Sequence, residues 1–128
     1  MKTLISGAVA ALIAASTAAL AMGPAKTMET SLGEVFVDDN GMTLYTFDKD
    51  ETGMSNCYDQ CATNWPPLMA ADGAMAEGDW TLVERKDGTM MWAYDGKPLY
   101  TWINDAKPGD VTGDGVGGVW HVAKPGAM

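Results

Sequence analysis

A chain of 128 residues with 8 basic and 17 acidic side chains, net charge −9 with its single histidine neutral, repels phosphate backbones and anionic membrane surfaces, which excludes nucleic acid as a partner. That length allows one small domain with one modest core and leaves no room for a second. The acidity otherwise reads as the surface charge that keeps an exported protein soluble.

The amino terminus has the composition of an export signal. Lys2 supplies the positive charge, Leu4 to Leu20 is apolar and alanine-rich, and Ala19-Leu20-Ala21 fits a small-residue cleavage site. Residues 1–21 are therefore read as a signal peptide and 22–128 as a single domain, periplasmic or secreted. A membrane anchor is the competing reading, because a run of about 18 apolar residues is near the lower spanning limit; the Ala, Gly, Ser and Thr content argues against it. No cysteine lies at the cleavage site, so no lipid anchor is expected.

Further along, EVFVD and MTLYTF flank Asp39-Asn40-Gly41, and TMMWAY and KPLYTW flank Asp95-Gly96. Such Asn-Gly and Asp-Gly pairs supply the positive φ angles of tight hairpin turns. Lys86-Asp87-Gly88 joins WTLVER to TMMWAY, so the second half reads as a three-strand meander, closed by a late strand GVWHVA at 118–123. Between the halves, SNCYDQCATNWPPL predicts one short helix capped by Asn56, with Asp59 in its first turn and Pro66-Pro67 ending it. Cys57 and Cys61 are the only cysteines; in an oxidising compartment they are expected to bond to each other, at the cost of some distortion of regular helix. MAADGAMAEGD, 69–79, has the composition of a flexible connector.

Shifting the chain by 55 places lays Asn40–Trp65 over Asp95–Trp120 without a gap. Gly41, Leu44, Tyr45, Thr46, Asp50, Asp59 and Trp65 meet identical residues, and Phe47 meets Trp102. Ordinary residue frequencies would give only about one or two identities over such a window, so the chain is duplicated, with repeats at about 35–67 and 90–122. On an extended strand Tyr45 and Phe47 project to one face and Leu44 and Thr46 to the other, and Tyr100 and Trp102 repeat this. Asp50 and Asp105 follow where each strand breaks and can accept backbone N–H groups in the turn. The fold expected is mainly β, two antiparallel hairpin or meander repeats related by a pseudo-twofold axis with one short helix between them. Tyr45, Phe47, Asp50, Trp65, Tyr100, Trp102, Asp105 and Trp120 would form its scaffold. In it the aromatic faces of the two copies pack together and each tyrosine hydroxyl finds an acceptor.

YTFDKD, YTWIND, CYDQCATNWPPL, YDGKPLY and KPGDVTGDGVGGVW, in that set, resemble the bacterial secreted repeat proteins described as predicted lipoproteins with a Yx(FWY)xxD motif. The resemblance spans Val35 to Val122. It implies an exported envelope protein and supplies no catalytic residue. The chain departs from the lipoprotein label in lacking a lipobox cysteine.

Candidate chemistry is sparse. A hydrolytic site would have to use Ser31 or Ser55 with His121, and no Gly-x-Ser-x-Gly frame accompanies them, so no enzyme is expected. Cys-x-x-x-Cys lacks the spacing of thiol exchange catalysts. Asp110, Thr112 and Asp114, with Gly115, occupy calcium-loop positions, but His121 stands where the closing carboxylate belongs. Thioether and imidazole suit cuprous ion, making copper the alternative through His121, Met90 and Met91, with Met42, Met54, Met69 and Met75 elsewhere; unclustered methionines, however, are commonly core filler. The favoured expectation is a module without a cofactor that binds an envelope protein or small ligand, with loops such as 107–118 as its surface.

Overall fold

Chain direction first reverses at Thr30-Ser31-Leu32-Gly33, where the Thr30 hydroxyl donates to the Gly33 carbonyl (2.8 Å) and accepts from the Leu32 N–H (3.1 Å). In this computed structural model, which describes residues 24–126, that turn joins β1 (Lys26–Thr30) to β2 (Gly33–Val37). The signal-peptide assignment lies outside the described residues. Then follow β3 (Tyr45–Phe47), a helix α1 (Gln60–Asn64), β4 (Trp80–Glu84), β5 (Met90–Tyr94), β6 (Lys97–Pro98), a 3₁₀ turn (Val116–Gly118) and β7 (Trp120–Val122). All strand pairs are antiparallel, so the fold is mainly β with one short α-helix between two repeat-like halves.

The meander of the second half is present as β4-β5-β6. Two pairings differ from the expectation. In the first half β1 is the main partner of β2, and the hairpin around Asp39-Asn40-Gly41 is short: Val37 bridges Thr43 and the Leu44 N–H reaches the Phe36 carbonyl (2.9 Å). The chain then crosses over, and β3 pairs with β7, Tyr45 opposite Val122 and Phe47 opposite Trp120. The late strand thus belongs to the other half's ladder and does not close its own meander.

That exchange is reciprocal. Tyr100 bridges Pro67, the position that matches Val122 under the 55-residue shift. Leu68 N–H donates to Leu99 O (2.9 Å) as Ala123 N–H donates to Leu44 O (2.8 Å). Pro66 and Pro67 have no N–H, so this second ladder shrinks to a bridge plus acceptor bonds such as Thr101 N–H to Pro66 O (2.9 Å). On the axis itself Tyr45 and Tyr100 face each other and exchange both backbone bonds, at 2.7 and 3.0 Å. The two copies are therefore interlocked around one seam.

Alternation along the seam strands feeds two cores. Tyr45 and Tyr100 point into a cluster with Trp65, Trp120, Cys57, Val83, Met91 and Ala93. Leu44 and Leu99 point the opposite way, against Ala25, Phe36 and Ala123. At the rim, the loop after each motif packs on the other copy's turn glycine: Gly53 N–H donates to Gly96 O (2.8 Å) and Gly109 N–H to Gly41 O (3.3 Å). Gly96, at φ +81, lies so close to Thr52 that a Cβ would meet its methyl carbon at 2.7 Å.

The helix is shorter than expected. Asn56 does not cap it: its N–H donates to Asp50 Oδ1 (2.7 Å) and its amide to Lys49 O (2.8 Å). Asp59 stands at φ 56, outside helical geometry, and makes no side-chain cap bond. Cys57 therefore lies ahead of the helix, and its Cα is 5.2 Å from that of Cys61, to which it is disulfide-bonded. This is within the ordinary range and needs no deformed helix. The 69–79 connector is also partly paired, with Met69 bridged to Met91 and Ala70 N–H donating to Met90 O (2.9 Å).

Candidate functional site

Each copy of the motif ends its strand in the same turn. Asp50 N–H reaches back to Phe47 O (3.0 Å) and Asp105 N–H to Trp102 O (3.1 Å). This places both carboxylates beneath the tyrosine of the other copy. Tyr45 donates to Asp105 Oδ2 (2.7 Å), and Tyr100 donates to Asp50 Oδ2 (2.6 Å). The remaining carboxylate oxygens accept N–H groups, though from farther along the chain than the turn itself: Asn56 for Asp50 (2.7 Å), and for Asp105 the Thr112 N–H (2.9 Å) and hydroxyl (2.6 Å).

Behind the tyrosines the copies differ. Tyr45 accepts from the Gly113 N–H (3.1 Å), and a Cβ at Gly113 would meet the Tyr45 ring at 2.8 Å and Trp65 at 2.9 Å. Tyr100 instead meets the hydroxyl of Ser55 at 2.6 Å. Because the proton of Tyr100 goes to Asp50, Ser55 donates to Tyr100, and Ser55 in turn accepts from Arg85 Nη1 (3.0 Å). Arg85 is buried and also donates to Cys57 O (2.7 Å), with its guanidinium 4.2 Å above the Tyr58 ring. A chain of hydrogen bonds thus runs from Arg85 through Ser55 and Tyr100 to Asp50, which accepts the last of them. Sequence reasoning missed Arg85 because a basic residue at the end of a strand, beside Lys86-Asp87-Gly88, looks like an ordinary solvated charge.

Burial, reinforced by the hydrogen bond to a carboxylate, pushes the phenols of Tyr45 and Tyr100 well above their ordinary value of 10.0. Burial also raises the Asp50 carboxyl, against the hydrogen bonds from Tyr100 and Asn56 and the charge of Arg85. The fold therefore keeps both phenols neutral.

The other four motif aromatics form a column. Phe47 stacks on Trp120 (ring centroids 4.3 Å, 12°), Trp120 on Trp65 (3.8 Å, 3°) and Trp65 on Trp102 (4.0 Å, 23°). Tyr45 stands edge-on to Trp65 (5.4 Å) and Tyr100 edge-on to Trp120 (5.3 Å). Trp65 and Trp120 are buried, whereas Phe47 and Trp102 are half-buried at the two ends. All eight motif residues singled out in the sequence are thus brought into one assembly.

The metal candidates are not brought together. His121 pairs through Nε2 with Asp48 Oδ2 (2.8 Å) on the exposed face of β7. Met91 is fully buried in β5, its sulfur 3.5 Å from Arg85 Nη1, and its neighbour Met90 points to the other face of the sheet. In the calcium-like loop, Asp110 accepts from Ala106 N–H (2.9 Å), Thr112 serves Asp105, and Asp114 accepts from Val122 N–H (3.0 Å). Among the described residues no group of three or more His, Cys, Asp or Glu side chains could hold a metal ion. Of the candidate serines, Ser55 is buried and committed to Tyr100 and Arg85.

The surface carries several depressions, among them one of about 410 Å³ over Met54, Tyr58 and Lys86, beside Ser55 and Arg85. Another, of about 130 Å³, lies between the loop after β3 and the β5–β6 turn, over Phe47, Asp48, Glu51 and Lys97. A third, of about 380 Å³, lies between the 69–74 connector and the β4–β5 hairpin, over Met69, Ala74, Leu82 and Met90.

No curated protein matches this chain, and no solved structure does. One family matches twice, over residues 26–69 and 81–124, and each span carries one copy of the tyrosine–aspartate motif. The two spans together cover more than half of the sequence, and the chain belongs to the family described as a secreted repeat of unknown function.

Proposed function

We propose that this secreted repeat protein is a non-catalytic binding module of the cell envelope, periplasmic or released, which receives a small apolar ligand or an apolar segment of a partner protein. The observation that carries the reading is that the motif's polar groups are occupied with one another. Tyr45, Tyr100, Ser55 and Asp105 are buried and bond internally at 2.6–3.1 Å, so none of them presents a nucleophile or base to an incoming substrate. An apolar surface offered to a ligand is the depression over Met69, Leu82 and Met90. Its volume, about 380 Å³, is that of a small-ligand site. Met69 is 47 % exposed beside it, and methionine adapts its shape to varied apolar partners.

Native mass spectrometry of the protein recovered from the cells that secrete it tests this. A retained organic ligand or protein that is lost in Leu82→Glu is the expected result. Spectra showing only the bare chain, or an adduct indifferent to Leu82→Glu, would overturn it.

A further inference from the structure

The aromatic column does more than fill space. Aromatic pairs chosen for packing alone favour offset or edge-on contacts with centroids about 4.5–7 Å apart. Here Trp120–Trp65 and Trp65–Trp102 lie face to face at 3.8 and 4.0 Å, so three indoles share π overlap in series. The two ends are chemically unequal. Trp102 closes one end and Phe47 the other, and a benzene ring gives up an electron far less readily than an indole. The half-buried Trp102 is the one outlet to solvent with an easily oxidised ring, and the column ends blind at Phe47. Against its middle two rings stand Tyr45 and Tyr100, fully buried, each with its hydroxyl proton already directed at a carboxylate oxygen 2.6–2.7 Å away. A phenol in that setting loses an electron and passes its proton across the hydrogen bond without moving a heavy atom.

We infer that the column is a one-electron relay, which draws oxidising equivalents from the surface at Trp102 and deposits them on the buried Tyr45–Asp105 and Tyr100–Asp50 pairs. With a peroxyl radical as oxidant, the radical takes one electron from the Trp102 indole and becomes a peroxide anion, which water protonates. Trp65 and then Trp120 refill the hole in turn. The last electron comes from Tyr45 or Tyr100, whose hydroxyl proton moves to Asp105 or Asp50, leaving a neutral tyrosyl radical and a carboxylic acid. One electron from a small-molecule reductant such as a thiolate, with return of the proton from the aspartic acid, restores the resting state. Burial supports this ordering: raised phenol pKa values keep both tyrosines protonated until they are oxidised, and the raised Asp50 carboxyl accepts a proton more readily than an ordinary carboxylate.

The test is flash oxidation of the secreted protein by a photogenerated ruthenium(III) polypyridyl complex, followed by transient absorption. A tryptophanyl radical is expected to appear first and to decay as a tyrosyl radical grows in. The tyrosyl signal is lost in Tyr45→Phe/Tyr100→Phe, kept in Tyr58→Phe/Tyr94→Phe, and reduced severalfold in Trp102→Phe. In deuterated water the tyrosyl rise slows. A tyrosyl signal that follows Tyr58 and Tyr94 would overturn the relay, as would one that ignores Trp102→Phe. Should the double tyrosine variant not fold, Trp102→Phe and the isotope effect on the unaltered protein decide the matter; a rise of equal rate in both waters refutes it.

Discussion

Raising the pH is the most direct perturbation of the seam. In the unfolded chain Tyr45 and Tyr100 ionise at about the ordinary phenol value of 10.0, whereas burial against Asp105 and Asp50 holds both protonated in the fold. The native state therefore binds two more protons than the unfolded state once the pH passes 10.0. The difference in bound protons, unfolded minus native, is negative, so stability is full below the unfolded value and falls as the pH rises. Each proton contributes about 1.36 kcal/mol per pH unit, so the pair gives a slope of about −2.7 kcal/mol per unit. Two units past the onset remove about 5 kcal/mol, the lower end of the total stability of an ordinary domain. Urea unfolding followed by circular dichroism, at steps from about pH 8 to about pH 12, reads this slope directly. Tyr45→Phe/Tyr100→Phe should start less stable, because two hydrogen bonds to charged groups worth about 1.5–3 kcal/mol each are gone, yet should lack this slope. A stability curve flat through that range, or an equal slope in the double variant, would refute the assignment of buried, neutral phenols.

Asp105→Ala leaves the Tyr45 hydroxyl and Thr112 N–H without their acceptor and should cost about 3 kcal/mol, measured as a lowered urea midpoint at unchanged slope. Gly113→Ala should cost about 1–3 kcal/mol by pressing a methyl group on Tyr45 and Trp65, although the Gly113 backbone is not left-handed. Gly88→Ala, at φ +88 with no atom within 4 Å, should cost only the backbone strain, about 1–2 kcal/mol; thermal melts of the two variants separate the effects. Reduction of the Cys57–Cys61 bond should remove about 2 kcal/mol, the loop-closure value for so short a ring, seen as a lower melting temperature in dithiothreitol.

Much of the seam is legible in the sequence because the 55-residue offset repeats every element of it. Tyr45 and Tyr100, with one aspartate each, point to paired scaffolds once the copies are superposed, and the Asp-Gly turn announces the β5–β6 hairpin. The destination of Trp120-His121-Val122 is not legible: its alternation would serve as well beside the second meander as beside β3, and only the long-range ladder selects the latter. β1 escapes notice because it is largely exposed, so Lys26-Thr27-Met28-Glu29-Thr30 shows little apolar period. The onset of α1 depends on the positive φ of Asp59, which composition does not reveal. Serial stacking of Phe47, Trp120, Trp65 and Trp102 likewise arises only when the segments after each loop fold back over the opposite copy.

Because Tyr45 and Tyr100 meet on the axis and each copy lends its last segment to the other, half of this chain is not a self-sufficient body. A lone copy would present a bare ladder edge, a phenol lacking its carboxylate and one exposed indole face, all satisfied at once by an identical molecule turned through a half rotation. Covalent fusion replaces that bimolecular encounter with an intramolecular one at a standing millimolar-scale effective concentration. It also frees the copies to diverge, and Arg85 with Ser55 on one side and Gly113 on the other are the marks of that liberty: equivalent phenols held from behind by unlike means.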